Sequence, residues 1–150
     1  MNMIHSPEKA PEGQKKIAWV SKHMPVLSNL AEKYASGRPF AGLKMAFCIH
    51  LEAKTAYMAT VFQRCGAQVT VTGSNPLSTQ DDVAAARVED GIAVFAWHGA
   101  TAEGYREHLR RTIETGPDLV IDDGGDLITM LHRERPDLLP QVRGGAEETT

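Results

Sequence analysis

In the first part of the chain the apolar positions Ile17, Val20, Met24, Leu27, Ala31 and Tyr34 recur three and four residues apart. That spacing lines them up on one face of a helix running from Gly13 to about Tyr34. Pro25 removes a backbone donor from the stretch, which predicts a kink or break near Lys22 to Met24. Ser36-Gly37-Arg38-Pro39 ends the element. Beyond it the period changes. Leu43 to Ile49 is a compact apolar run suited to a buried strand, and Thr55 to Cys65 returns to helical spacing with Ala56, Ala59, Val61 and Phe62 inward. Gly66 closes that helix as a C-cap. Gln68 to Thr72 has the Val and Thr content of a strand. An Ala-rich helix follows over Thr79 to about Glu89, with Asp81 and Asp82 in the first turn, where the positive end of the helix dipole favours carboxylates. Ile92 to Ala96 reads as a third strand. Thr101 then caps a helix whose Tyr105, Leu109 and Ile113 recur every four residues. Leu119 to Ile121 reads as a fourth strand and Leu127 to about Glu134 as a last helix.

Strands alternating with helices over short connections imply parallel pairing. The expected fold class is α/β: an open, mostly parallel Rossmann-like sheet with helices on both faces, in three layers. Ligands of such sheets bind outside the carboxyl ends of the strands. There the first strand delivers His50-Leu51-Glu52-Ala53-Lys54-Thr55 and the second Gly73-Ser74-Asn75-Pro76-Leu77-Ser78-Thr79-Gln80-Asp81. Trp97-His98-Gly99 follows the third strand and Asp122-Asp123-Gly124-Gly125-Asp126 the fourth. Taken singly, each piece also has a structural reading. His50 fits a satisfied or exposed histidine, Ser78 and Thr79 fit an N-cap, Asp122 fits a turn cap, and Gly124-Gly125 fit loop glycines. Adjacent carboxylates after a buried strand cost free energy unless a partner or ligand uses them. His98 with His50, His132 and the aspartates lacks any paired ligand spacing, so no metal site is expected. Neither GxGxxG nor GxxxxGK[ST] occurs. The pattern by itself reaches a small-molecule site in an α/β domain.

Composition narrows the class. A length of 150 residues fits one domain; 42% apolar and 23% charged residues are ordinary for a soluble globular chain. Net charge is -3 without a basic stripe, which argues against nucleic acid and anionic membrane surfaces as partners. No apolar run approaches the roughly 20 residues that span a bilayer. The polar start lacks the regions of a signal peptide, so a cytoplasmic location is expected. Residues 1–12 read as a flexible N-terminal arm and 13–150 as one domain. Cys48 and Cys65 are expected to be buried, reduced thiols.

Several longer motifs carry a resemblance. Met24-Pro25-Val26-Leu27, Gly42-Leu43-Lys44, Cys48-Ile49-His50 with Thr55-Ala56, Ser74 to Asp82, Val94 to Gly99, Ile121 to Leu127 and Arg143 to Thr150 follow one another in the order of the S-adenosylhomocysteine hydrolase family. From about Ile17 onward the chain resembles the front part of that family's substrate-binding domain. The resemblance implies an enzyme in which tightly bound NAD oxidises the ribose 3'-hydroxyl of a nucleosidyl thioether, homocysteine is eliminated, water adds, and the hydride returns. It implies proton transfer at the 5' side by His50 and Asp123, contacts to the ribose hydroxyls by Glu148, contacts to NAD by Thr149 and Thr150, and a lining of the homocysteine side by Ser78 and Gln80. Glu52, Lys54 and Thr55 fall where the family holds the purine. Many members read HxTxET there; this chain has Glu52 for a threonine and Lys54 for the glutamate that reads adenine. A carboxylate accepts from a 6-amino group, whereas an ammonium only donates. S-inosylhomocysteine is therefore a candidate beside the adenosyl substrate, with Lys54 pointing to solvent as the alternative.

The family's lysine and aspartate at the 3'-hydroxyl, and its GxGxxG domain, have no counterpart in this chain. It is expected to be an incomplete substrate-binding domain, inactive alone, from an enzyme that forms homotetramers. A stand-alone nucleoside-binding module and an oligomer scaffold are the alternatives.

Overall fold

The computed structural model describes residues 2–148. Its centre is a sheet of β1 (Lys44–Cys48), β2 (Gln68–Thr72), β3 (Ala93–Phe95), β4 (Leu119–Asp123) and β5 (Gly144–Glu148) in the order β3-β2-β1-β4-β5. Every pairing is parallel. The helices are α1 (Ala10–Ser21), α2 (Pro25–Tyr34), α3 (Ala53–Arg64), α4 (Asp81–Glu89), α5 (Ala102–Glu114) and α6 (Asp126–Glu134). The open parallel sheet with helices on both faces, expected from the alternation, is what the chain forms.

Two cores flank the sheet. Met45, Phe47, Val69, Val71 and Val94 pack against Ile17, Val20, Ala56, Ala59 and Val83, on the side of α1, α3 and α4. Ala46, Cys48 and Val120 pack against Leu109, Ile113, Leu127 and Leu131, on the side of α5 and α6. Both sides of β1 are covered, which is why it reads as a continuous apolar run rather than an alternation. Each Val, Leu, Ile, Phe or Met among them taken fully out of water stabilises the fold by about 1.5–3 kcal/mol. Cys48 and Cys65 are buried and free, as expected.

The break expected at Lys22 to Met24 separates α1 from α2. Pro25 opens α2, where its missing N–H has no helical partner to lose. At the other end α1 begins at Ala10, earlier than the apolar spacing indicates, because Pro11 is tolerated in a first turn. Of residues 2–12, expected as part of an arm, Pro7–Lys9 form a 3-10 helix, Ala10 to Glu12 open α1, and Asn2 and Met3 lie along β3. Met3 donates its N–H to the Val94 carbonyl and accepts from Ala96 N–H, both at 2.9 Å, and Asn2 Oδ1 accepts from Val94 N–H at 3.0 Å.

α1 crosses α4 at Gly13. A Cβ at that position would lie 2.0 Å from the Asp82 carbonyl oxygen, so only glycine allows the approach. Lys16 meets Asp82 at 2.7 Å beside this crossing, and the buried Arg87 of α4 pairs with Asp90 and Gln14.

β5 is the element the sequence pattern did not indicate. Gly144-Gly145-Ala146-Glu147-Glu148 has no β-branched or aromatic residue, and all five positions are exposed. Its strand character comes from pairing with β4, from Leu119↔Gly144 to Asp123↔Glu148. No helix of the described residues is long and apolar enough to cross a membrane.

Candidate active site

β1 and β4 are neighbours, yet the chain leaves them in opposite directions, to β2 on one side and to β5 on the other. At such a switch point the loops beyond the strand ends diverge and leave a crevice. His50 follows β1, and Asp123 ends β4.

The two side chains meet. His50 Nε2 lies 3.3 Å from Asp123 Oδ2; the histidine side chain is 50% exposed and the carboxylate 21%. The pair is therefore reachable from solvent but partly walled. The β2–α4 connection, residues 73–80, supplies the wall. A Cβ on Gly73 would come within 2.5 Å of Thr79 Oγ1, so the tight fold of this loop depends on the absence of a side chain there. Ser74 N–H donates to the Ile49 carbonyl at 3.2 Å and Gln80 N–H to the Leu51 carbonyl at 3.0 Å. Both ends of the loop are thus tied to the segment carrying His50. Inside it, Asn75 Oδ1 accepts from Leu77 N–H at 2.9 Å, while the Asn75 carbonyl collects Ser78 N–H at 3.1 Å, the Ser78 hydroxyl at 3.0 Å and Thr79 Oγ1 at 3.2 Å.

This folding brings Ser78 Oγ to 2.5 Å from His50 Nδ1. It also lets the Ser74 hydroxyl donate to Asp123 Oδ2 at 3.0 Å. Ser78 is not an N-cap: Gln80 holds that position in α4. Ser74 was not singled out as a site residue from the sequence; its one signal was being the first hydroxyl after β2.

The other expected site residues divide. Glu52 is the N-cap of α3, its carboxylate accepting from Lys54 N–H at 3.0 Å and Thr55 N–H at 3.3 Å. Thr55 is buried in the first turn behind it. Lys54 is exposed, and its ammonium has no ion pair among the described residues. Gln80 directs its side chain to Lys16, 3.1 Å away, rather than into the cluster at His50. Glu148 is Asp123's register partner on β5, at the same strand end. Thr149 and Thr150 lie outside the described residues.

Asp122 takes the structural reading. It is fully buried and accepts from Asp123 N–H at 3.0 Å and Ile128 N–H at 2.9 Å, tying β4 to the start of α6. Burial, and then the Asp122 charge, push the neighbouring Cys48 thiol well up, so it stays protonated. Gly124 N–H donates to Glu147 Oε1 at 2.6 Å, linking the glycine turn to β5. Trp97-His98-Gly99 buttresses the site from outside. His98 N–H donates to Asp81 Oδ1 at 2.7 Å, and Gly99 N–H to the Pro76 carbonyl at 3.1 Å. An apolar groove of about 310 Å³, walled by Leu27, Leu30, Phe40 and Phe62, lies toward the other end of α3 and holds no acid–base pair.

An imidazole and a carboxylate in contact, each held by a hydroxyl on a solvent-reachable crevice, can pass protons to and from a small molecule.

A family model described as S-adenosyl-L-homocysteine hydrolase matches residues 2–150. The S-inosyl-L-homocysteine hydrolase of Methanococcus maripaludis is 48% identical over 150 residues, covering 100% of this chain and 36% of that protein. The protein of the same name from Methanocaldococcus jannaschii is 50% identical over 139 residues, 93% of this chain and 34% of its own length. The adenosylhomocysteinase of Thermotoga maritima is 49% identical over 138 residues, 92% of this chain and 34% of its own. The chain thus spans about a third of the length of these curated relatives.

Proposed function

The chain belongs to the S-adenosyl-L-homocysteine hydrolase family, and on that premise we propose that it forms part of the substrate-binding domain of an enzyme that reversibly hydrolyses a nucleosidyl-L-homocysteine to the nucleoside and L-homocysteine. The observation that carries this reading is the contact of His50 Nε2 with Asp123 Oδ2, 3.3 Å, at the switch point of the sheet. Elimination of a thiol from the 5' carbon, and addition of water to the product, require a proton to be removed, delivered and retrieved within one small space. A carboxylate suits removal, an imidazole N–H suits delivery to the departing sulfur, and the pair resets by exchanging the proton between its members. Glu148, beside Asp123 on β5, is in register to receive the ribose hydroxyls.

NAD in this family would take the hydride from the 3' carbon and return it there once water has added. None of the described residues forms a glycine-rich cradle for a dinucleotide, and Thr149 and Thr150, which the resemblance implies touch NAD, fall outside them. The complete enzyme is proposed to be a cytoplasmic homo-oligomer.

Lys54 favours a 6-oxo purine. Glu52, the nearest carboxylate in sequence, is committed to the α3 N-cap, while the exposed Lys54 keeps an ammonium without an ion pair among the described residues. An ammonium donates to the 6-oxygen of hypoxanthine and offers nothing to the 6-amino group of adenine. Overall identity does not discriminate, at 48% to a relative named for the inosyl thioether and 49% to one named for the adenosyl compound.

The test is homocysteine release from S-adenosyl- and S-inosyl-L-homocysteine by the full-length chain loaded with NAD. Turnover is expected, with the inosyl compound preferred. His50→Gln or Asp123→Asn should lower kcat by about 10²–10⁴-fold, the usual scale for a lost acid or base. Release from neither thioether would refute the reaction; an adenosyl preference that persists in Lys54→Glu and the parent alike would refute the role of Lys54.

A further inference from the structure

We infer that Ser78 and Ser74 are positioning residues for the acid–base pair, gripping it from opposite ends so that His50 keeps one orientation through both of its charge states. The inference rests on the reading of His50 and Asp123 as the proton-transfer machinery.

Asp123 as a carboxylate can only accept hydrogen bonds. The 3.3 Å contact with His50 is favourable only when Nε2 carries a proton. A neutral His50 then has a bare Nδ1, which needs a donor. The Ser78 hydroxyl at 2.5 Å is that donor. When His50 becomes an imidazolium, Nδ1 itself carries a proton and needs an acceptor. The same hydroxyl turns, accepts from Nδ1–H, and sends its own proton to the Asn75 carbonyl 3.0 Å away. That carbonyl is satisfied in either state, because Ser78 N–H and Thr79 Oγ1 also reach it, at 3.1 and 3.2 Å. A hydroxyl that can both donate and accept is what this position requires. No main-chain N–H or carbonyl could serve both states.

At the other end the Ser74 hydroxyl donates to Asp123 Oδ2, the same oxygen that faces His50. Two donors converging on one oxygen fix the carboxylate rotamer and hold it in the accepting form. Both hydroxyls come from residues 73–80, whose ends are tied to the Ile49 and Leu51 carbonyls on either side of His50. One loop therefore sets both partners against each other.

The decisive measurement is ¹⁵N NMR of the His50 ring in the full-length chain, with His50→Gln identifying the resonance. In Ser78→Ala the Nδ1 resonance of neutral His50 should move toward the value of an unbonded ring nitrogen, and Ser78→Thr should return it. A turn-stabilising role for Ser78 alone would lower thermal stability and leave that resonance in place, and this result would overturn the inference. In turnover, Ser78→Ala and Ser74→Ala should each lower kcat about tenfold with KM within about twofold, the scale of one hydrogen bond to a charged group, and the Thr variants should recover most of it. Parental kcat in both Ala variants would likewise overturn it. If the parent enzyme turns over neither thioether, the functional reading fails, and the ring resonance still decides whether Ser78 positions His50.

Discussion

Asp122 and Asp123 are consecutive, identical in chemistry, and expected to respond in opposite ways to the same isosteric change. Asp122 is 0% exposed, and each of its oxygens accepts one backbone N–H, from Asp123 at 3.0 Å and from Ile128 at 2.9 Å. Asparagine keeps one acceptor and turns the other into an NH₂ group facing an N–H. The loss is one hydrogen bond to a charged group, about 1.5–3 kcal/mol, plus an unpaired buried donor at about 1–3 kcal/mol. Relief from holding a charge in the core offsets part of this. A net destabilisation of about 2–3 kcal/mol remains, and a chain of this size loses roughly 2–4 °C of Tm per kcal/mol. Asp122→Asn should therefore melt roughly 4–12 °C below the parent. Asp123→Asn touches a partly exposed carboxylate whose partners, the Ser74 hydroxyl and the half-exposed His50, lie where water can replace the lost interaction. Its stability should stay within about 1 kcal/mol of the parent, as for other solvent-reachable pairs, while turnover collapses. Paired circular-dichroism melts and rate assays separate the two roles. A melt of Asp123→Asn depressed as far as that of Asp122→Asn would refute the division, as would an unshifted melt for Asp122→Asn.

Other outcomes follow from single features of the fold. Gly13→Ala, which in an open helix would gain about 1 kcal/mol, should destabilise by roughly 1–3 kcal/mol, because the new methyl meets the Asp82 backbone; a melt at or above the parent's would refute the close crossing of α1 and α4. Burial holds the His108 imidazole at about 4, below its ordinary 6.5, so the unfolded chain binds a proton that the native chain refuses between those values. Stability should accordingly fall as pH drops through that window, by on the order of 3 kcal/mol, and His108→Phe should flatten the profile in urea titrations; an unchanged slope would count against it. Cys48 and Cys65 should both resist a charged thiol reagent in the native protein and both react in denaturant, whereas rapid native labelling of either would contradict their burial.

What the sequence disclosed depended on whether a residue's role was local. The break before Pro25, the Thr101 cap and the apolar strands follow from rules acting within a few residues, and they are present. β5 obeys no such rule: its five exposed residues are a strand because β4 offers an open edge. Within the site, the strand-end principle drew attention to His50 and Asp123, since a polar residue there is anomalous wherever the chain goes next. It could not separate Ser78 from Gln80. Two residues apart, one side chain turns in to the imidazole and the other out to Lys16, and only the path of the loop decides which. Ser74 was passed over for the same reason. Its hydroxyl gains meaning from a carboxylate 49 positions away.

The division between Asp122 and Asp123 rests on register. Successive side chains of a strand point to opposite faces. Asp122, aligned with Cys48, falls on the side of Val120 and the α5–α6 core, where two N–H groups await it. Asp123 falls on the other side, toward Ser74 and His50. A slip of one residue between β4 and β1 would exchange the two, burying the carboxylate proposed to move protons and exposing the structural one. The same slip would carry Ile121 and Val120 each into the wrong core, and this is what forbids it. The contact between His50 and Asp123, proposed as the acid–base pair, therefore takes its geometry from the apolar pattern of β4, which makes the hydrophobic residues before the aspartates as much a condition of that contact as Asp123 itself. A substitution at Val120 or Ile121 that loosens pairing should accordingly degrade turnover along with stability, unlike Asp123→Asn, which should affect turnover alone.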